Sequence, residues 1–400
     1  MFFADKPYVS DFFKKTVKDN NIPVVGTEAV KTLDLFPGTG IIEENRAAKL
    51  AEDCENLRAY ALSENSISWI AEHLGHTDLP RKIDLFKDKL KFREITRDIF
   101  PDFYFRGAGI EELDSIRPTD IPFPVIVKPA VGFFSMGVYR VTNREEWTST
   151  LKKIHAEINK VQNIYPREVM DAERFIIEQS IDGDEFAVDA YFDSAGEPVL
   201  LSVFKHTFSS DADVSDRVYT TSTKIIENNL EEFTDFARKI GRATGIRNFP
   251  VHMELRRGKN KQILPIEINP LRFGGWCTTA DMTHHAWGFN PYLYYYQDKK
   301  PDWSELLKKK HDKLFSIIVL DNSTGIDGAN ISSFDYDRLL SGFENPLELR
   351  KTDYKTYPVF GFLFTETGEE NRRELEYILN SDLREFVETD DGGHGLEGII

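Results

Sequence analysis

The segment HMELRRGKNKQILPIEINPLRFGG, residues 252–275, is the most informative part of the chain. Its polar GKNK run separates two strand-like segments, which predicts a β-hairpin with Glu254 across the ladder from residues 265–267. Glu267 and Asn269 share a face, because side chains alternate along a strand. Carboxylate and amide oxygens suit Mg²⁺, which keeps waters and binds substrate phosphates rather than being enclosed by protein. The hairpin therefore predicts a divalent-metal site.

An exposed hairpin with solvated acids is the alternative, since charged residues usually lie at protein surfaces. The flanks argue against it, because the second strand is largely apolar and ends in a shaped loop. The apolar residues are Ile263, Leu264, Ile266 and Ile268, and the loop contains Pro270, Gly274 and Gly275. We therefore expect the acids to lie at a structured site.

The composition is that of an ordinary globular protein. Its 400 residues suffice for two or three domains, and 67 acidic against 50 basic residues give a formal charge of -17. That charge disfavours nucleic acid or an anionic membrane as a partner. No signal-peptide core and no run of about 18 apolar residues occurs, which predicts a cytoplasmic protein. Cys54 and Cys277 have neither disulfide nor metal spacing and are interpreted as buried thiols.

Apolar periodicity predicts the order of the elements. Strands are expected at NIPVVG, 125–127, GVYRV, RFIIEQSI, EFAVDAYF, FSIIVL and VFGFLF. Helices are expected at 43–63, SISWIAEHLG, the region of KIDLFKDKLKFREITRDIF, 145–163, LEEFTDFARKIGRATGI and 369–380. Residues 390–400 are expected to be loosely ordered.

The run PVIVKPAVGFFSMGVYRV, residues 124–141, has the features of a phosphate-binding loop. Lys128 ends a strand, Gly132 and Gly137 let the backbone approach a phosphate and donate amides, and Ser135 adds a hydroxyl. No GKS or GKT follows, so the loop is not a Walker A loop. A common β-hairpin with a strand-end lysine is the alternative.

The next segment supplies two acids. Glu178 and Glu185 flank an Asp-Gly turn, and a carboxylate leaving such a turn can accept both hydroxyls of a ribose. Taken alone, each acid is expected to be a solvated surface group. The order of lysine, glycine loop, paired acids and metal-binding hairpin is the informative feature, because these parts together would hold adenosine, triphosphate and metal.

The sequence resembles the ATP-grasp superfamily, which includes D-alanine-D-alanine ligase, biotin carboxylase and the L-amino-acid ligases. The resemblance runs from about Asp88 to Gly275. It implies that Lys89, in FKDKLKFRE, and Lys128 bind the nucleotide phosphates, and that residues 132–137 form a mobile glycine-rich lid.

By the same resemblance, the hinge that reads adenine through its backbone is Glu178, Gln179, Ser180 and Ile181, and Glu185 accepts the ribose. Glu254, Glu267 and Asn269 match the metal ligands of the family, which typically hold two Mg²⁺ ions, with Mn²⁺ as the alternative ion.

The implied fold is α+β, with two α+β subdomains clasping ATP. Residues 1–85 would form a remodelled N-terminal pre-grasp domain, because no βαβ opening is visible there. Residues 86–300 would form the ATP-grasp domain, with a lid subdomain at about 124–180. Residues 301–400 are expected as a separate, small C-terminal α/β segment.

The implied activity is that of a carboxylate-amine ligase. Family members use ATP to convert a small-molecule carboxylate into an acyl phosphate, release ADP, and let an amine displace phosphate. Lys128 would neutralise charge, and Arg272, offset by one residue from the usual family position, would hold the carboxylate. His252 is expected to be a core or surface histidine, and Lys205 an exposed strand lysine.

Two other activities stay open. A carboxylase-like member would activate bicarbonate, although the chain has no Met-Lys-Met carrier motif. A non-catalytic ATP-binding regulatory protein is disfavoured by the complete set of metal ligands. The oligomeric state is open as well, with a homodimer common in the family.

Overall fold

The structure is a computed structural model that describes residues 1–54, 56–132, 137–161, 171–209, 216–308 and 312–389. The expected loose tail at 390–400 and Ser135 lie outside these residues. No helix within the described ranges is both long and apolar enough to cross a membrane.

The N-terminal region is a small parallel sheet with helices. In chain order it contains β1 Phe2–Phe3, α1 Asp11–Asp19, β2 Val24–Val25, β3 Ile41–Ile42, α2 Glu44–Asp53, β4 Tyr60–Ala61 and α3 Ser66–His73. The sheet order is β3-β2-β1-β4, and neighbouring strands are parallel. A βαβ unit, β1-α1-β2, is therefore present. Its strands of two residues are too short to leave a period in the sequence, so the expectation that no such unit occurs is wrong.

Two further expectations for this region are wrong. The helix predicted over 43–63 ends at Asp53, and the chain then returns to the sheet as β4. The segment after Asp53 has helix-forming residues, but pairing of Tyr60 and Ala61 with β1 overrides that propensity. Cys54 is exposed rather than buried, because it lies just beyond the end of α2, whereas Cys277 is buried.

The second region carries a small antiparallel sheet. Its elements are α4 Leu79–Lys87, α5 Lys89–Ile95, β5 Phe105–Gly109, α6 Ile110–Leu113, β6 Val125–Val131, β7 Tyr139–Val141, α7 Arg144–Val161 and β8 Asp171–Gln179. The sheet order is β5-β8-β6-β7, and Trp147, Leu151 and Ile154 of α7 belong to the apolar core on this sheet. The single helix expected near residue 88 is two helices, because Asp88 ends α4 and caps α5.

The rest of the chain builds one large sheet and a separate two-stranded sheet. Its elements are β9 Asp184–Phe192, β10 Pro198–Thr207, β11 Val218–Thr221, α8 Thr223–Thr244, β12 Phe249–Arg257, β13 Ile263–Pro270, α9 Thr278–Trp287, α10 Pro291–Gln297, α11 Trp303–Leu307, β14 Lys313–Asp321, β15 Ile331–Phe334, α12 Tyr336–Leu340, β16 Pro346–Lys351, β17 Val359–Gly368, α13 Arg373–Asn380 and β18 Val387–Thr389. Eight strands pair in the order β13-β12-β9-β10-β11-β14-β17-β16, and β15 pairs with β18 in the two-stranded sheet. The C-terminal strands β14, β17 and β16 thus continue the sheet of the hairpin, and the expectation of a separate C-terminal segment is wrong.

Helix α8 is the longest helix packed on the large sheet. The Ser222 hydroxyl caps its start, and Gly245 ends it in the left-handed conformation that glycine adopts most readily. Its buried face includes Ile226, Phe233 and Ile240, and each such side chain stabilises the fold by about 1.5–3 kcal/mol. This packing supports β9 and β10, which lie beside the β12–β13 hairpin in the same sheet.

Candidate active site

Strands β12 and β13 form the predicted hairpin and bring its three oxygen-bearing side chains together. Glu254 lies directly opposite Glu267 in the antiparallel register. The Asn269 Nδ2 group donates to Glu267 Oε1 at 3.0 Å and to Glu254 Oε1 at 3.3 Å. A bulge follows Glu254, so the turn-side half of the hairpin shifts register while this cluster stays aligned.

The two glutamates differ in their electrostatic surroundings. Burial and the negative charge of Glu267 raise the pKa of Glu254 well above its usual value. Burial also acts to raise the pKa of Glu267, but the positive charges of Lys89 and Lys128 outweigh it and lower that pKa to about 2. Each side chain keeps about a third of its surface exposed, 33% for Glu254 and 30% for Glu267. Two adjacent carboxylates that open to solvent are a suitable place for a cation.

The donor set fits Mg²⁺. The Asn269 amide now donates to the two carboxylates, and a half-turn about its last side-chain bond would put its oxygen in the place of its NH₂ group. Within the described ranges no group of three or more His, Cys, Asp or Glu side chains could hold a metal ion. Two carboxylates and one amide thus leave coordination positions for water and phosphate, as Mg²⁺ prefers.

Lys89 lies at the first position of α5, where the Asp88 side chain caps the helix by accepting from the amides of Leu90 and Lys91. The Lys89 ammonium is 3.5 Å from Glu267 Oε2 and donates to the Gly132 carbonyl at 3.4 Å. The structure therefore brings this predicted phosphate-binding lysine to the hairpin and to the base of the glycine loop.

Lys128 lies inside β6 and not at a strand end, because β6 continues to Val131 through its pairing with β8. Its ammonium is 2.7 Å from Glu178 Oε1, and Arg93 donates to Glu178 Oε2 at 2.8 Å. All three side chains are buried, so the reading of Glu178 as a solvated surface group is wrong. Burial acts to raise the pKa of Glu178, but the two cations dominate and lower it to about 2.

The predicted adenine hinge follows β8. The Gln179 amide donates to the Tyr104 carbonyl and the Ser180 amide to the Pro124 carbonyl, each at 3.0 Å. The Ile181 carbonyl accepts from Arg256 at 2.6 Å. These backbone groups thus have protein partners, and the adenine-reading role remains a prediction.

Glu185, the predicted ribose acceptor, is buried and not solvated. Its Oε1 pairs with His206 Nδ1 at 3.0 Å, and its Oε2 accepts from Arg256 Nε at 2.9 Å. Burial acts to raise its pKa, but these partners lower it. A ribose would have to share the carboxylate with them, so this role too remains a prediction.

The glycine loop is described only at its ends. The Gly132 carbonyl accepts from both Lys87 and Lys89, and Gly137 has a positive φ of 70°. Ser135 was predicted to add a hydroxyl, and its position is outside the described residues.

Arg272 follows the hairpin in the loop before α9. Its guanidinium donates to the Phe273 carbonyl at 3.0 Å and lies 3.9 Å from Glu64 Oε1. His252 is buried and contacts two carboxylates. Its Nδ1 is 2.7 Å from Asp189, and its Nε2 is 3.9 Å from Glu254. Lys205 is partly exposed and lies 3.0 Å from Asp184, away from the hairpin acids.

Four residues near the cluster were not predicted from the sequence: Glu64, Lys87, Arg93 and Asp189. Lys87 is buried, pairs with Glu64 and donates to the Gly132 carbonyl at 3.2 Å. Its position two residues before Lys89 was the one local feature that could have identified it as part of the site. The partners of Arg93 and Asp189 lie 85 and 63 residues away along the chain, so no local pattern points to them.

Lysines, glycine loop and hairpin meet at one narrow cleft. It is lined by Phe86, Lys87, Lys89, Gly132, Glu267, Ile268, Asn269 and Pro270. The cleft thus combines two buried or half-buried ammonium groups, a loop carbonyl and two of the predicted metal ligands. This arrangement suits a polyphosphate with its cation.

A family model described as the ATP-grasp domain matches residues 121–280, which contain β6 to the start of α9. Residues 121–280 are therefore identified as an ATP-grasp domain. No curated protein sequence matches this chain.

Solved structures have a similar fold over nearly the whole chain. L-amino acid ligase from Bacillus licheniformis is 18% identical, with 97% of each chain covered and a TM-score of 0.67. N5-carboxyaminoimidazole ribonucleotide synthetase from Thermotoga maritima is 15% identical, covers 96% of this chain and 97% of its own, and has a TM-score of 0.62. The biotin carboxylase domain of 2-oxoglutarate carboxylase from Hydrogenobacter thermophilus, a dimer in complex with MgADP, ADP and bicarbonate, is 14% identical, covers 92% and 86%, and has a TM-score of 0.60. These likenesses show the ATP-grasp fold.

Proposed function

We propose that this ATP-grasp chain is an ADP-forming ligase that activates a small-molecule carboxylate for attack by an amine. The observation that supports it most is the pair of facing glutamates, Glu254 and Glu267, next to the Lys89 ammonium in one cleft. A carboxylate pair alone would repel a triphosphate, whereas the same pair with a divalent cation and lysines attracts it.

The nucleotide would lie with its phosphates along this cleft. Lys89 and Lys128 supply positive charge, and Lys89 also donates to the Gly132 carbonyl at the start of the glycine loop. Lys128 is held by Glu178, so its ammonium is positioned before any ligand arrives. Such preorganisation lowers the cost of binding and of charge movement in the reaction.

Mg²⁺ would be held by Glu254, Glu267 and Asn269, as two ions in the form typical of the family, with Mn²⁺ as the alternative ion. When bound, it neutralises the phosphate charge that develops during phosphoryl transfer. Burial and the charge of Glu267 raise the pKa of Glu254, and a cation held between the two carboxylates would favour its ionised form.

The chemistry has two steps. The substrate carboxylate oxygen attacks the γ-phosphorus, the bond to the bridging oxygen breaks, and ADP leaves. The amine nitrogen then attacks the carbonyl carbon of the acyl phosphate, the carbon–oxygen bond breaks, and the amine proton leaves with phosphate. The carboxylate is ionised near neutral pH, so the first step needs no base.

Arg272 and the amide of Gly275 are the groups that we assign to the substrate carboxylate, because the Gly274 amide already donates to Asp189 and Thr279. The guanidinium offers a planar pair of donors for a carboxylate or an oxyanion. Arg272 lies on the loop that directly follows the β12–β13 hairpin. Only a few residues of backbone therefore separate the proposed carboxylate site from the proposed metal ligands.

The substrates would be a small carboxylate and a small amine in the cytoplasm, and a homodimer is the assembly that we expect. Sedimentation at several protein concentrations tests the assembly. A monomer at all concentrations would contradict it.

Release of ADP is the first test of the activity. Purified protein with Mg-ATP is offered pooled amino acids, other small carboxylates with amines, and bicarbonate in separate reactions. We expect one organic pool to stimulate ADP release, and Glu267→Ala to reduce it by roughly 100-fold, because metal-site changes typically cost 10–100-fold or more. Glu231→Ala, an exposed change on α8, is the matched control and should match the unchanged protein.

Other outcomes separate the alternatives. ADP release that depends on bicarbonate alone would favour a carboxylase-like enzyme. Tight Mg-ATP binding without turnover in any pool would favour a nucleotide-binding regulator.

A further inference from the structure

The loop from Leu271 to Cys277 has an unusual backbone. Leu271, Trp276 and Cys277 have positive φ angles of 67°, 56° and 58°. Bulky residues rarely adopt this region, and they stay there only when the surroundings hold them. The same loop carries Arg272 and the Gly275 amide, which we assign to the substrate carboxylate.

One side of the loop is held from β9 and α9. The Gly274 amide donates to Asp189 Oδ1 at 3.0 Å and to the Thr279 hydroxyl at 2.9 Å. A side chain at position 274 would collide with Thr279, so only glycine allows this approach. The Phe273 amide donates to the Tyr60 hydroxyl at 3.3 Å.

The other side is held by Arg350 of β16. Its NH1 group donates to the Trp276 carbonyl at 3.1 Å. Its two other nitrogens are anchored by carboxylates, NH2 by Asp281 at 2.6 Å and Nε by Glu348 at 2.6 Å. Arg350 is only 3% exposed, and its guanidinium lies 4.4 Å from the centre of the Phe364 ring. A guanidinium fixed at three nitrogens and on one face has little freedom, so the carbonyl that it holds is fixed too.

The carboxylates around Arg350 are themselves held. Asp281 also accepts from the Tyr292 hydroxyl at 2.9 Å, and Glu348 pairs with His285 at 2.9 Å. Burial acts to lower the pKa of Arg350, but Asp281 and Glu348 raise it above its ordinary value. Arg350 therefore stays charged. Its one positive charge binds both acids and the loop backbone.

We propose that Arg350 is a positioning residue, through which the C-terminal part of the chain fixes the loop Leu271–Cys277 and so positions Arg272 and the Gly275 amide for the substrate carboxylate. Its effect on catalysis rests on the proposed ligase function. Its hold on the loop does not.

Arg350→Lys tests the proposal because lysine keeps the charge but cannot donate to three separate acceptors in a fork. Arg338→Lys is the matched control, since Arg338 lies in the same part of the chain and pairs with Glu385 at the surface. The first readout is hydrogen exchange in peptides that contain residues 271–277. We expect exchange there to be roughly tenfold faster in Arg350→Lys, with β12 and β13 unchanged, because local opening is independent of global unfolding.

The second readout is kinetic. We expect kcat/KM for the carboxylate to fall by roughly tenfold or more while the KM for Mg-ATP is unchanged, because misplacement of a substrate-binding group costs about this much. Arg338→Lys should change neither readout. A merely structural role would move both substrates together.

The outcomes that overturn the proposal are distinct. Unchanged exchange at 271–277 in Arg350→Lys would overturn it. Faster exchange throughout β12 and β13 would show a general loss of stability instead of a local effect on the loop. The double variant Arg350→Met/Asp281→Asn removes both buried charges at once, and the same general increase in that variant would also overturn the proposal. If the unchanged protein turns over no carboxylate, the ligase proposal fails, and the exchange measurement alone decides on Arg350.

Discussion

Glu178 lies between two cations, the ammonium of Lys128 and the guanidinium of Arg93, and all three side chains are buried. The position of Lys128 thus depends on a carboxylate that is ionised far below neutral pH, since its pKa is about 2. Removing the carboxylate would leave two buried cations without the negative charge that neutralises them.

Stability of the fold should therefore depend on Glu178 in a pH-dependent way. A folded-state pKa below the unfolded one gives stability that is present above pH 4.5 and is lost as the pH falls toward 2. We expect Glu178→Gln to lower the free energy of unfolding by about 3–5 kcal/mol at pH 7. Urea unfolding at pH 7 and pH 3 should show this difference shrinking in acid.

Glu231→Gln on the exposed face of α8 is the control and should be neutral at both pH values. A difference between unchanged protein and Glu178→Gln that is equal at pH 7 and pH 3 would contradict the paired state of Glu178.

Individual residues also show which parts of the site could be predicted from the sequence. Glu254, Glu267 and Asn269 could be placed together because a short turn fixes the pairing of two adjacent strands. Asp189 and Arg350 could not, because their partners His252 and Trp276 meet them only when distant strands pair.

At the scale of elements, α5 matters because it begins at a functional residue. Asp88 caps the helix and also pairs with Arg174 at 2.9 Å, so one carboxylate fixes the start of α5 in place. Lys89 is the next residue, and its direction into the cleft follows from this cap.

Asp88→Ala should therefore weaken both stability and nucleotide binding. We expect a loss of about 1 kcal/mol in the free energy of unfolding from the lost cap. Mg-ATP affinity, measured by calorimetry, should fall as well, since the Lys89 ammonium is no longer held. Asp88→Asn keeps a capping side chain and should preserve most of both quantities. Equal losses in the two variants would show that capping is not the cause.

Elements were predictable where local signals set them. Helix α8 has a capping serine and a terminal glycine, and its predicted end at Gly245 is confirmed. The N-terminal strands of two residues carry no period, and β4 replaces a predicted helix because it pairs with β1 at the opposite end of the region. Strand pairing between distant parts of the chain therefore set the structure of these segments, and no local pattern could predict it.

At the scale of the whole molecule, the large sheet joins the site to the C-terminal strands. Strand β14 pairs with β11 and β17, so β14 lies in the interior of the sheet. Val218 of β11 belongs to the same apolar cluster as Leu314, Ile318 and Phe360. The large sheet and this cluster thus form one structural unit across residue 301.

A chain cut after residue 301 should not fold by itself. Removal of β14 would expose the edge of β11 and part of this apolar cluster to water. We expect residues 1–301 to lose cooperative thermal unfolding and to bind a hydrophobic dye. A cooperative transition close to that of the full chain would contradict the continuity of the sheet.

The central claim is that the cleft transfers the γ-phosphoryl group of ATP to a carboxylate, and oxygen-18 labelling tests it most directly. The carboxylate pool that stimulates turnover is labelled with ¹⁸O, incubated with Mg-ATP and amine, and the released phosphate is analysed by mass spectrometry. Passage through an acyl phosphate predicts one ¹⁸O atom in each phosphate and ADP as the nucleotide product. Unlabelled phosphate, or AMP with pyrophosphate, would contradict it.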